Sequence, residues 1–93
     1  MIYIFIKKTD EKLKKIGFVR VYEYNSVASY ERYNKEYKYT QVVDLMYKRN
    51  GKHILLSYDK HLMDDKHIGN TCVGLTYKEL KLFTKKMKEL KLN

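Results

Sequence analysis

A chain in which Asn50-Gly51 stands between two apolar, alternating stretches has few ways to fold. Both residues tolerate the positive φ that a two-residue type I′ turn requires, and that turn matches the twist of paired strands. Residues 38–59 therefore predict one β-hairpin with Arg49 opposite Lys52. The pairs then run Lys48/His53, Tyr47/Ile54, Met46/Leu55, Leu45/Leu56, Asp44/Ser57 and Val43/Tyr58. Alternate pairs share a face, so one side carries Val43, Leu45, Tyr47, Ile54, Leu56 and Tyr58 as a continuous apolar strip. The other side, with Asp44, Met46, Lys48, His53, Leu55 and Ser57, is mixed. The strip needs a cover, which the rest of the chain must supply.

The C-terminal segment is one such cover. Thr76 and Glu79 form an S/T-x-x-E capping box, with Leu75 and Leu80 as the accompanying staple. Leu80, Phe83, Met87 and Leu90 follow at three, four and three residues, the spacing of one helical face. A second, shorter helix is expected over Thr9–Ile16. Thr9 or Asp10 would cap it, Leu13 and Ile16 would share a face, and Gly17 would take the left-handed residue that ends it. Before it, Ile2-Tyr-Ile-Phe-Ile6 has the length and composition of a buried strand. Phe18–Tyr24 and Val27–Tyr33 read as strands joined at Asn25-Ser26, with charged residues among tyrosines as on a half-exposed sheet.

Joined together, these pieces predict an α+β domain spanning residues 1–93. It has an antiparallel meander of four to five strands, a short N-terminal helix and a longer C-terminal amphipathic helix packed on one face. Ninety-three residues suffice for one modest core. No run of about 18 apolar residues occurs, so a membrane span is excluded. The apolar start lacks the basic leader and small-residue cleavage site of a secretory signal. The lone Cys72 cannot form an internal disulfide, which points to a reducing cytoplasm.

Charge narrows the class of partner. The formal net charge is +9, and of 20 basic residues only Arg20, Arg32 and Arg49 are arginine. Specific recognition of bases or phosphates usually favours the arginine fork, and an AT-rich genome raises lysine through codon usage alone. The helical segments 1–16 and 74–93 nevertheless supply +7 of the charge, so a polyanion would meet the helices first. Lys12, Lys15, Lys78, Lys81, Lys85 and Lys88 are the candidate contacts. Tyr22, Tyr24, Tyr30, Tyr33, Tyr37 and Tyr39 interleave with cations, but no RNP-like motif accompanies them, and they are expected to serve mainly as packing residues.

Catalytic and metal signals are weak. Asp59, His61, Asp64, Asp65 and His67 lie within one polar stretch, residues 59–74, but match no zinc spacing. That stretch is expected to be a long loop and the first place to look for a partner. Asp44 facing Ser57 suggests a cross-strand hydrogen bond. The nearest histidine along that face, His53, would lie roughly 13 Å from Ser57 at about 3.3 Å per residue, too far to act as its base. No enzyme activity, catalytic residue, metal or cofactor is expected.

Gly17-Phe18 after the lysine-rich helix, Gly51-Lys52-His53-Ile54 followed by Ser57-Tyr58, Val73-Gly74-Leu75-Thr76 before Glu79, and Lys86-Met87-Lys88-Glu89-Leu90 together resemble small phage and prophage accessory proteins of Gram-positive bacteria. The similarity spans about residues 10–91. It implies a mobile-element origin, a cytoplasmic setting in the bacterial host and stoichiometric binding without catalysis. Two expectations result. One is binding to nucleic acid or a nucleoprotein machine through the basic helical surfaces. The other is a protein–protein inhibitor or adaptor acting on host machinery, including counter-defence of the anti-CRISPR kind. Edge strands and tyrosine-rich faces also allow a homodimer.

Overall fold

The structure, a computed structural model, describes residues 2–48, 50–61 and 72–90, with residues 2–7 described by their backbone alone. In chain order the elements are α1 (Ile2–Lys15), β1 (Val19–Tyr24), β2 (Val27–Asn34), β3 (Tyr39–Met46), β4 (Ile54–Asp59) and α2 (Tyr77–Leu90). The strands form one antiparallel meander in the order β1-β2-β3-β4. Both helices cover the same side of it, giving the expected α+β architecture. Along the helices, Thr9 meets Glu89, Asp10 meets Lys86, and Arg32 bridges Ile16 to Glu79, so α1 and α2 run antiparallel.

The strand expected over residues 2–6 is instead the first part of α1, a helix of 14 residues and as long as α2. Strand preference of β-branched and aromatic residues is weak and depends on context. Helix extension is easy once a nucleus exists, and here α1 lies along α2. Ile2, Ile6, Thr9 and Leu13 also follow at four, three and four residues, the helical interval. Thr9 and Asp10 therefore sit within the helix rather than capping it, which frees their side chains for tertiary contacts. The end of α1 is as expected. The Gly17 amide donates to Lys14 O at 2.9 Å and the Phe18 amide to Leu13 O at 3.0 Å. This is the Schellman arrangement, with Gly17 at φ +98°.

The central hairpin forms, but its register is shifted by one residue. Leu45 pairs with Leu55, not Leu56; Asp44 with Leu56; and Val43 with Ser57. Seven residues separate the last pair, Met46 and Ile54. The Gly51 amide donates to Lys48 O at 3.1 Å, and Gly51 alone of the expected turn pair is recorded with positive φ, +83°. An odd loop moves every pairing by one relative to a two-residue turn. The type I′ geometry occurs instead at Asn25-Ser26, with φ of +51° and +65° between paired Tyr24 and Val27. Ser26 is held there by its carbonyl, which accepts from the Tyr47 amide at 2.9 Å, and its hydroxyl, which donates to Leu90 O at 3.3 Å.

The shift sorts side chains anew. Leu45, Val43 and Gln41 are buried beneath the helices, whereas Leu56 lies on the outer face of the sheet, 46% exposed. Asp44 and Ser57 do not hydrogen bond. Asp44 accepts from the Ser29 and Tyr58 hydroxyls at 2.6 and 2.8 Å, and Ser57 accepts from the Gln41 amide at 2.8 Å. In the core, Phe83 meets Phe18 and Tyr30 edge-on at centroid distances of 5.0 and 5.5 Å. Leu13, Leu45, Met87 and Leu90 close around them.

Gly17 allows a direct check of the corner between α1 and β1. A Cβ there would stand 2.9 Å from Arg32 Cδ in addition to occupying a left-handed conformation. Gly17→Ala is expected to cost about 1–3 kcal/mol, read as a lowered urea midpoint with an unchanged m value.

Candidate functional site

Helical periodicity divides the lysines of α2 into two populations. Lys78, Lys81, Lys85 and Lys88 point away from the core and are exposed, as are Lys12 and Lys15 on α1. None of these six makes an ion pair with a described residue. The Lys81 ammonium lies 5.4 Å from the Tyr77 ring centroid. The six expected cations are thus uncompensated on the outer side of the helical layer.

Lys86 is the exception. It lies on the buried side of α2 with 0% of its surface exposed. Its Nζ is 2.6 Å from Glu23 Oε1 and 3.5 Å from Asp10 Oδ1. The approach makes no well-directed hydrogen bond, so the contact is an ion pair. Arg20 reaches the same two carboxylates, at 2.9 Å to Asp10 and 3.2 Å to Glu23. Two cations therefore face two anions drawn from α1, β1 and α2. The Tyr30 hydroxyl donates to Asp10 from beneath. Burial, with the hydrogen bond to Asp10 and the negative charges of Asp10 and Glu23, holds the Tyr30 phenol far above its ordinary value, so it remains a donor. Beside this group, buried Glu89 accepts from the Thr9 hydroxyl at 2.6 Å.

A second charged corner sits at the opposite end of the helix pair. Thr76 and Glu79 close the capping box, with amide-to-side-chain distances of 2.9 and 3.2 Å. The second oxygen of Glu79 accepts from Arg32 at 2.7 Å. Arg32 also donates to Ile16 O at 3.1 Å and Gln41 at 3.0 Å, and its guanidinium lies 4.1 Å from the Phe18 ring centroid. Burial disfavours ionised Glu79, but bonds from Thr76 and Arg32 outweigh it and hold the carboxyl below its ordinary value. The staple is half formed: Leu75 packs against the core, while Leu80 is 43% exposed and falls outside the buried stripe.

The expected partner loop is partly strand. Asp59 ends β4, Tyr58 forms a bridge with Cys72, and the Val73 amide donates to Ser57 O at 3.0 Å. The His61 amide donates to Asp59 Oδ1 at 2.9 Å. His61 lines an open cleft of about 440 Å³ with Lys60, Lys38, Tyr33 and Tyr39. Asp64, Asp65 and His67 lie outside the described residues. Among the tyrosines expected mainly to pack, only Tyr30 is fully buried; Tyr22, Tyr24, Tyr33 and Tyr37 are exposed. No described group of three or more His, Cys, Asp or Glu residues is placed to hold a metal ion, and no described helix is long and apolar enough to cross a membrane.

The chain matches no family model, no curated protein and no solved structure. The sequence did not group Asp10, Glu23 and Lys86: Asp10 is expected only as a helix cap, and Glu23 and Lys86 are ordinary in their local context. Only the pairing of Glu23 with Ala28 and the packing of α1 on α2 bring them together.

Two measurements test these corners. Lys86→Met removes one cation from the seam and leaves Asp10 and Glu23 to Arg20 alone. It is expected to cost about 3 kcal/mol in urea unfolding, against less than about 0.5 kcal/mol for exposed Lys88→Met. Glu79, with its folded value below 4.5, stabilises above that pH and loses this contribution as pH falls through the folded value. The stability gap between wild type and Glu79→Gln should therefore narrow as pH falls below the ordinary carboxylate range, measured by chemical unfolding at each pH.

Proposed function

We propose that this chain is a non-enzymatic, stoichiometric binding protein that meets nucleic acid, or a nucleoprotein machine, with the lysine-covered outer face of its helices. One observation carries the reading. Ten lysines lie in the two helices and none in the four strands. Of these ten, Lys86 is neutralised inside. Lys12, Lys15, Lys78, Lys81, Lys85 and Lys88 remain outside without ion-pair partners among the described residues, beside one exposed acid of the described helices, Glu11, which leaves a surface with a large positive excess. Lysine is suited to such contact as a point charge that follows phosphates without reading bases. The role fits the phage accessory proteins that the sequence resembles, acting in the host cytoplasm.

A second reading, an inhibitor or adaptor that binds a host protein, is favoured by the other side of the sheet. There Tyr24, Val27, Met46 and Ile54 form a cross-strand apolar row, with Tyr22 and Leu56 exposed beside it.

Fluorescence anisotropy with single- and double-stranded 20-mers of DNA and RNA tests the first reading. Binding at 50 mM salt should fall at least tenfold by 200 mM. Reversing Lys12, Lys15, Lys78 and Lys85 to glutamate should abolish it. No binding at low salt would refute direct contact with nucleic acid, and a protein retained from nuclease-treated host lysate would then favour the second reading.

A further inference from the structure

On the flank of α2 away from α1, an apolar cleft of about 410 Å³ separates the helix from the tip of the β3–β4 hairpin. Its floor is Leu55 and Met87. One wall is Tyr47 stacked on His53, with ring centroids 4.1 Å apart and planes within 17°. The other is the exposed edge of α2, where Leu80 is 43% solvent-accessible. The volume is at the small end of ligand pockets, about 300–1,000 Å³, and suits one anchoring side chain with the backbone around it. The cleft opens past Leu80, Thr84 and Lys88 into a second depression of about 310 Å³ edged by Lys81 and Lys85. No acidic residue is among the described residues lining either.

We infer that this groove takes an acidic polypeptide segment of a partner protein, seating one bulky apolar or aromatic side chain beside Leu55 and Met87 and placing carboxylates about one helical turn away on Lys81 and Lys85. Charge complementarity selects the acid, because the groove offers only cations and none of these lysines is ion-paired to a described residue. The apolar floor selects polypeptide over nucleic acid. A base inserted there would bury polar edge atoms against Leu55 and Met87, neither of which offers a hydrogen bond. An aliphatic or aromatic side chain has no such groups to satisfy. Helix-in-groove recognition uses the same division between apolar anchors and flanking charge. The groove shares Lys81, Lys85 and Lys88 with the proposed nucleic-acid surface, but its apolar floor is separate from Lys12 and Lys15 of α1, so the two readings can be tested apart.

The test is a library of random 12-residue peptides displayed on phage and panned against the full chain, followed by synthesis of the enriched sequences. Enriched peptides should carry Leu, Phe or Trp with Asp or Glu three or four positions away. The synthetic peptide should shift the amide resonances of Leu55, Thr84 and Met87. Leu80→Lys, at an exposed position, should weaken it at least tenfold while retaining the wild-type circular dichroism, and Lys81→Glu with Lys85→Glu should do the same. Lys12→Glu with Lys15→Glu should leave peptide affinity unchanged while weakening oligonucleotides, which separates this inference from the proposed function. Enrichment without acidic residues, binding that Leu80→Lys leaves intact, or an oligonucleotide with the same Leu80 dependence would overturn it. So would a Leu80-dependent dimer, which would assign the groove to a second copy.

Discussion

Lys86 sits where a lysine is costly unless neutralised, and the positions of three elements depend on that neutralisation. Its ammonium reaches Glu23 on β1 and Asp10 on α1, so displacing any one of the three elements would remove an ion-pair contact from the seam. Burying two carboxylates and an ammonium forfeits hydration that ion pairing repays only when the geometry is good. Arg20 and the Tyr30 hydroxyl supply the remaining partners. The seam is therefore better understood as setting where α1 can lie than as a large net source of stability. Apolar contact among Leu13, Phe18, Phe83 and Leu90 provides much of the burial; the charges specify one arrangement of it.

At the other end of the helix pair, Arg32 does comparable work for the opposite termini. It joins the end of α1, through Ile16 O, to the start of α2, through Glu79, from a position on β2. Glu79 simultaneously caps its own helix, so one carboxylate links a local signal to a long-range one. With Arg32 holding one end of the helix pair and the Lys86 seam holding its middle, the outward lysines are displayed from a fixed base. The long lysine stems keep their freedom, which suits a surface that follows a charged polymer rather than one that reads fixed positions.

Much of the architecture was legible because its signals are local. The capping box at Thr76, the helix stop at Gly17 and the central hairpin each rest on a few neighbouring residues whose chemistry decides the backbone. The register was not legible, because Asn50-Gly51 suits connections of different length whose strand registers differ by one residue, and only the pairing Leu45–Leu55 distinguishes them. The type I′ turn went to the less typical Asn25-Ser26, where contacts from Tyr47 and Leu90 hold the backbone. Residues 2–6 misled by composition: a β-rich run became helix where α1 could lie along α2. The exposed lysines followed from helical spacing. Buried Lys86 and Glu89 did not, since a periodic pattern marks which face turns inward but not which charged side chain will find an ion-pair or hydrogen-bond partner there.

The Ser26 hydroxyl bonded to Leu90 O ties the first hairpin to the final turn of α2. Through this contact and through Lys86, the earliest strands depend on an element that the ribosome makes after all four of them. Until α2 emerges, the inner side of the nascent sheet lacks Phe83, Met87 and Leu90, and Asp10 and Glu23 lack an ammonium. Domains generally fold as units during synthesis, and this one can close only when translation has passed its second helix. A ribosome paused shortly before Lys86 would hold a chain whose apolar interior is open to chaperones.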